Sequence, residues 1–179
     1  MLIYLIGLMK VENINLEGKM TNKTIFFIKL ITSIYDIKVF SKYVKEGILR
    51  SISYAILLSL LLGGLKSLFV QYKTYNLDAI SLVHQMVSYF AIILFNLFFN
   101  SLIVSIVSML FTVFLRMVVK YIALYSLTLY AATLPLIIQT ILETVNPNIS
   151  FDTMFIVGTL TYVILILKYI KDEIIRNYT

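Results

Sequence analysis

Four polar side chains interrupt apolar stretches that are otherwise suited to cross a membrane. Asn96 and Asn100 lie four residues apart in one stretch, and Gln139 and Glu143 have the same spacing in another. Residues four apart share one face of a helix, so each pair can face a neighbouring helix. Acids and amides in such positions can line a proton or solute path. The alternatives are a carboxylate in the outer headgroup region and amides that hold helices together.

Other kinds of chemistry have little support in the sequence. The chain of 179 residues has no cysteine and one histidine, so it has no thiolate site and no histidine-based metal centre. It contains no glycine-rich phosphate loop and no nucleophile elbow. We therefore predict a protein that is not an enzyme and that has no cofactor and no catalytic or metal residues.

Composition places the chain among membrane proteins. Hydrophobic residues make up 60% of it and charged residues 13%, in long uncharged runs rather than in alternation. The formal net charge of +6 would suggest nucleic acid in a soluble protein, but the excess of basic residues on the inner side of a membrane protein explains it here. We expect the lipid bilayer as a partner and no nucleic acid.

A proline marks the stretch 125–145, which also carries Gln139 and Glu143. Pro135 has no amide proton and leaves the carbonyl of Ala131 without its helical donor. The hydroxyls of Thr128 and Thr133, or a neighbouring helix, can satisfy backbone groups at such a break. We predict a kink at this point.

Small residues recur every four positions in the stretch 47–70. Such a ladder lets another helix approach closely. We interpret it as a helix-packing surface. Its members are Ser51, Ala55, Ser59, Gly63 and Ser67.

The fold predicted from these elements is all-α, an integral membrane four-helix bundle preceded by an amphipathic interfacial helix. Residues 1–19 are expected to be a leader from an upstream start, with Met20 as the true start, or else a short interfacial segment. Residues 20–46 form a cytoplasmic amphipathic segment, which lies either on an anionic membrane surface or against the protein's own helices. The transmembrane domain covers residues 47–179, with helices at about 47–70, 89–115, 125–145 and 151–170.

Charge distribution decides how often the uncharged run 79–115 crosses the membrane. One crossing places 13 of the 15 basic residues inside, whereas two crossings give 8 inside and 7 outside. The positive-inside rule favours one crossing, with residues 79–88 as a short outer helix on the surface. Both termini are then cytoplasmic, and the third helix runs outward.

Two segments resemble a known bacterial family. The motif Tyr130-Ala131-Ala132-Thr133-Leu134-Pro135 resembles the YAxTLP-like motif of domain-of-unknown-function family 1189, and residues 26–35 resemble that family's opening amphipathic segment. The likeness covers roughly residues 20–171. It implies a four-helix protein of the bacterial cell membrane, distantly similar to the Yip family, some members of which are labelled maltodextrin-utilisation proteins. The family usually has a larger extracellular segment where this chain has only residues 71–88.

Two functional hypotheses follow. The first is an accessory or scaffold protein for another membrane protein or a second copy, bound through the small-residue ladder; the resemblance suggests a sugar-uptake system. The second is a small transporter or channel component, with a polar path between the second and third helices. Asn96, Asn100, Thr133 and Gln139 would line that path, with Glu143 near its outer end.

Overall fold

The structure, a computed structural model, describes residues 26–35, 37–43, 47–74 and 79–176. Every element in these ranges is helical, so the predicted all-α class is confirmed. The expected leader over residues 1–19 lies outside the described residues. The helices are α1 (Phe26–Tyr35), α2 (Phe40–Tyr43), α3 (Ile48–Thr74), α4 (Ala79–Phe114), α5 (Tyr121–Ala131), α6 (Thr133–Val145) and α7 (Asp152–Arg176), with a 3-10 turn (Ile37–Val39) between α1 and α2.

Three of these helices, α3, α4 and α7, are long and apolar enough to cross a membrane. The pair α5 and α6 passes the same test together and is bent by 43° at its break. Counting this pair as one broken span gives four crossings. Helices suit this environment because each satisfies its own backbone hydrogen bonds where water is absent. The prediction of a membrane protein with transmembrane helices is confirmed.

Helix α4 differs from its expected form. It is one continuous helix of 36 residues, and residues 79–88 are its first turns rather than a separate outer helix. The sequence between Ala79 and Phe114 has no glycine or proline to break it. It ends where Arg116 takes a positive φ of 54° and the amide of Met117 bonds the carbonyl of Thr112 at 2.9 Å. This closure is typical of a helix end.

The small-residue ladder is buried within the chain. Ser51, Ala55 and Ser59 are fully buried, and a Cβ added at Gly63 would lie 2.8 Å from the backbone nitrogen of Phe90 in α4. Helix α3 packs more extensively against α4 than against any other described helix. The ladder therefore serves close packing inside the chain, and a partner must bind a different surface from the one first expected.

Gly63 and Gly64 provide a matched test of this packing. We expect Gly63→Ala to lower the free energy of unfolding by about 1–3 kcal/mol, because the backbone of Phe90 cannot move aside without shifting α4. Gly64→Ala meets only the flexible end of Met86 at 3.5 Å and should be neutral or stabilising by up to about 1 kcal/mol. Reversible unfolding in mixed micelles measures both. Equal effects at the two positions would contradict close packing at Gly63.

Candidate functional site

Polar side chains form two groups at different positions along the bundle axis. Each group has one member on α3. Tyr54 and Lys66 are 12 residues apart on that helix, which corresponds to about 18 Å. We call the two groups the inner cluster and the outer cluster. The inner cluster consists of Lys29, Tyr43, Tyr54, Tyr130 and Thr133, and the outer cluster consists of Lys66, Gln139, Glu143, Ser150 and Asp152.

The outer cluster is a chain of charged and polar contacts across three helices. The Lys66 ammonium lies 3.0 Å from Oε2 of Glu143. Gln139 donates from Nε2 to Oε1 of Glu143 at 2.7 Å and to Oδ1 of Asp152 at 2.9 Å. Ser150 donates to the other oxygen of Asp152 at 2.7 Å. The end of α3, the end of α6 and the beginning of α7 are thereby held together.

Partial burial strengthens the ion pair of this cluster. The side chains of Lys66 and Glu143 are 14% and 26% exposed, so water screens their attraction less than on an open surface. The ammonium also lies 5.2 Å from the centre of the Tyr89 ring on α4. Cation–π contact and hydrogen bonds offset part of the cost of removing these charges from water. All four spans therefore meet at this end.

The inner cluster lies at the break between α5 and α6. The hydroxyl of Thr133 donates its one proton to the carbonyl of Tyr130 at 2.7 Å. Tyr54 must therefore be the donor in its 2.9 Å hydrogen bond with Thr133. The backbone N–H of Ala132 is also directed to the carbonyl of Tyr130, in the last turn of α5. Side chains of α3 and α6 thus meet the backbone at the break.

A buried lysine extends this cluster to the amphipathic segment. Lys29 of α1 is 8% exposed, and its ammonium lies 5.2 Å and 5.4 Å from the ring centres of Tyr43 and Tyr130. It also donates to the hydroxyl of Tyr130 at 3.5 Å. Tyr162 of α7 donates to the carbonyl of Ser33 at 3.2 Å. In the part of this segment that the structure describes, α1 and α2 pack against the protein's own helices.

A layer of large apolar side chains lies between the two clusters, with the buried hydroxyls of Ser59 on α3 and Thr159 on α7 beside it. Leu58 and Leu62 lie between the clusters on α3, Leu136 on α6 and Phe155 on α7, and none is more than 6% exposed. This layer is part of the main hydrophobic core. A polar path through the described residues would have to cross it.

The predicted path residues have different surroundings in the structure. Gln139 bonds Glu143 in the outer cluster, and Asn96 lines a groove beside Glu143. Thr133 bonds Tyr54 of α3 and not a residue of α4. Asn100 is 8% exposed on α4, among the buried residues of that helix.

The motif that carries the resemblance is buried at the break. Tyr130, Ala131 and Thr133 are fully buried, Pro135 is buried and Leu134 is half-buried. Pro135 faces α7, where a Cβ added at Gly158 would lie 3.6 Å from its ring. The motif shapes the broken span and presents no open reactive group.

Sequence reasoning missed several members of both clusters. Lys66 and Asp152 had a usable signal, because each is the first charge beyond an apolar core, as Glu143 is. Opposite charges at the same end of neighbouring spans are good candidates for an ion pair. Tyr54 and Tyr43 had no such signal, since a tyrosine in an apolar run gives no indication of its partner.

These features define a multi-pass helical membrane protein, and its described residues contain no group of three or more potential metal ligands of the His, Cys, Asp and Glu types. A family model described as "Protein of unknown function (DUF1189)" matches residues 71–167, more than half of the chain. The chain belongs to this family, and the predicted membership is confirmed. The matched region includes the motif at 130–135 but not the N-terminal likeness at 26–35. No curated protein and no solved structure matches the chain.

Proposed function

We propose that this protein is a non-enzymatic accessory component of the bacterial cell membrane that acts by binding another membrane protein. The observation that carries the proposal is that polar groups of the two clusters bond one another. The hydroxyls of Tyr54 and Thr133 bond each other, and Gln139 bonds both acids of the outer cluster. Polar groups that bond one another stabilise the bundle itself. We therefore look for the function, the binding of a partner, on the surface of the bundle.

The outward side of α4 is the surface that best suits a partner helix. Its apolar residues recur at alternating spacings of three and four, the pattern that lets two helices pack along their length. The rings of Phe95 and Phe99 stack there with centres 6.0 Å apart. We call this surface the α4 face. It consists of Ile92, Phe95, Phe99, Leu102, Ile106, Met109 and Val113, which are between 43% and 71% exposed.

The proposed partner is a membrane helix of another protein, and the family resemblance suggests that this protein belongs to a sugar-uptake system. A helix of 36 residues is about 54 Å long, against about 30 Å for the hydrocarbon core. Helix α4 therefore has surface that α3 does not cover and that a partner helix can contact. Shape-matched packing drives helix association in a membrane, where lipid tails are as apolar as the side chains.

Photo-crosslinking tests the α4 face. A photoreactive phenylalanine at position 99 should give a discrete protein adduct in native membranes, because Phe99 is 55% exposed on this face. Leu165 on α7 is 48% exposed and equally apolar, so the same substitution there is the matched control. Mass spectrometry of the adduct identifies the partner. Lipid adducts alone at both positions, or equal protein adducts at both, would contradict the proposal.

The alternative is a small transporter or channel component. One observation favours it, since Asn96 and Glu143 line a common groove at the outer end. The apolar layer beneath, which includes Leu58 and Leu136, stands against it. Solute flux through the purified protein in liposomes would favour this alternative over the accessory role.

We also propose that both termini are cytoplasmic. The contact between Lys66 and Glu143 supports an arrangement in which α3 and α6 end on one side. The basic residues Arg116, Lys120 and Lys168 lie near the opposite ends of α4, α5 and α7. Positive charge is retained on the cytoplasmic side, so the outer cluster faces out.

The absence of cysteine allows a direct test of this orientation. Asn148 and Lys120 are both exposed, on the α6–α7 loop and just before α5. A cysteine at position 148 should react with a membrane-impermeant thiol reagent in intact cells. A cysteine at position 120 should react only after the membrane is permeabilised. The reverse pattern would contradict the orientation.

A further inference from the structure

A groove at the outer end of the bundle remains unexplained by the accessory role. Its volume is about 540 Å³, within the range of roughly 300–1,000 Å³ typical of small-molecule sites. We call it the outer groove. Its lining includes Lys66, Phe69, Glu143, Ile149, Ser150 and Asp152.

The positive and negative side chains that line this groove do not cancel one another. Glu143 is paired with Lys66, whereas the donors to Asp152 among the described side chains are the neutral groups of Gln139 and Ser150. Asp152 lies in the first turn of α7, where the helix dipole favours a negative charge. The described lining therefore carries one negative charge in excess, which suits a ligand with a cationic group.

Lys66 adds a second requirement on the ligand. Its ammonium has three protons, and one bond to Glu143 leaves donors for an anionic group. The lining thus offers a positively charged hydrogen-bond donor on α3 and a negatively charged hydrogen-bond acceptor on α7. A ligand with both a phosphate and an ammonium matches this pair of charges.

The position of the groove favours a lipid over a soluble molecule. Lys66 is the first charge after the charge-free run Ser51–Leu65, so the groove lies at headgroup depth. Phe69 and Ile149 on its lining are 50% and 48% exposed and can contact acyl chains. One polar side and one apolar side fit an amphiphile.

We propose that the outer groove binds the headgroup of an ethanolamine phospholipid. The primary ammonium donates to Asp152, and the phosphate accepts from Lys66. A choline headgroup has no N–H to donate, and a glycerol headgroup has no cation, so both bind more weakly. This binding is independent of any partner on the α4 face.

Native mass spectrometry tests the proposal. The full chain is reconstituted with equal amounts of ethanolamine, choline and glycerol phospholipids of the same acyl chains, and the retained lipids are counted. The ethanolamine lipid should be retained in preference to both others. Asp152→Asn should reduce its retention about tenfold, since a charge-assisted hydrogen bond is lost. Equal retention of the three lipids, or unchanged retention in the variant, would overturn the proposal.

Two controls separate this effect from misfolding and from a soluble ligand. The asparagine at position 152 keeps an acceptor oxygen for Gln139, and thermal unfolding verifies the fold. Asp172→Asn makes the same charge change at the exposed far end of α7 and should leave lipid retention unchanged. Binding of free phosphoethanolamine as tightly as the intact lipid would show a site for the soluble compound and would overturn the lipid assignment.

Discussion

The break between α5 and α6 is the constraint on which the bundle depends. A helix interrupted inside a membrane exposes carbonyls that no water can bond, and each unsatisfied group costs several kcal/mol. Here Thr133 donates to the carbonyl of Tyr130 and accepts from Tyr54, so hydroxyl contacts link the break to α3. The span bends by 43° at this break, and α6 packs against α7.

Both ends of α6 are held by polar contacts that other helices supply. Near its beginning, Tyr130 accepts from Thr133 at its carbonyl and from Lys29 at its hydroxyl, which holds the amphipathic segment against the bundle. At its end, the carboxylate of Glu143 accepts hydrogen bonds from Lys66 and Gln139. The apolar layer between these ends excludes water, which makes each polar contact stronger and each unpaired group more costly.

Local signals in the sequence predicted much of this fold. Apolar length identified the spans, and Pro135 indicated a break. The ladder containing Gly63 indicated that another helix approaches closely. It did not indicate which one, because residue spacing on one helix does not identify the helix that packs against it. Likewise Tyr54 and Thr133 gave no sign of their bond, since the direction of a hydroxyl depends on packing between distant segments. An interfacial break near residue 88 was expected from membrane thickness and from the distribution of basic residues, whereas nothing in α4 interrupts its backbone.

A double-mutant cycle between Tyr54→Phe and Thr133→Val tests the link between α3 and the break most directly. If the two hydroxyls bond, their effects on the free energy of unfolding are coupled by about 0.6–2 kcal/mol, as for polar contacts between membrane helices. Thr140→Val is the matched control, because buried Thr140 bonds only the carbonyl of Leu136 in its own helix among the contacts described. Its effect should add to that of Tyr54→Phe. Additive effects at Thr133 as well would contradict the account.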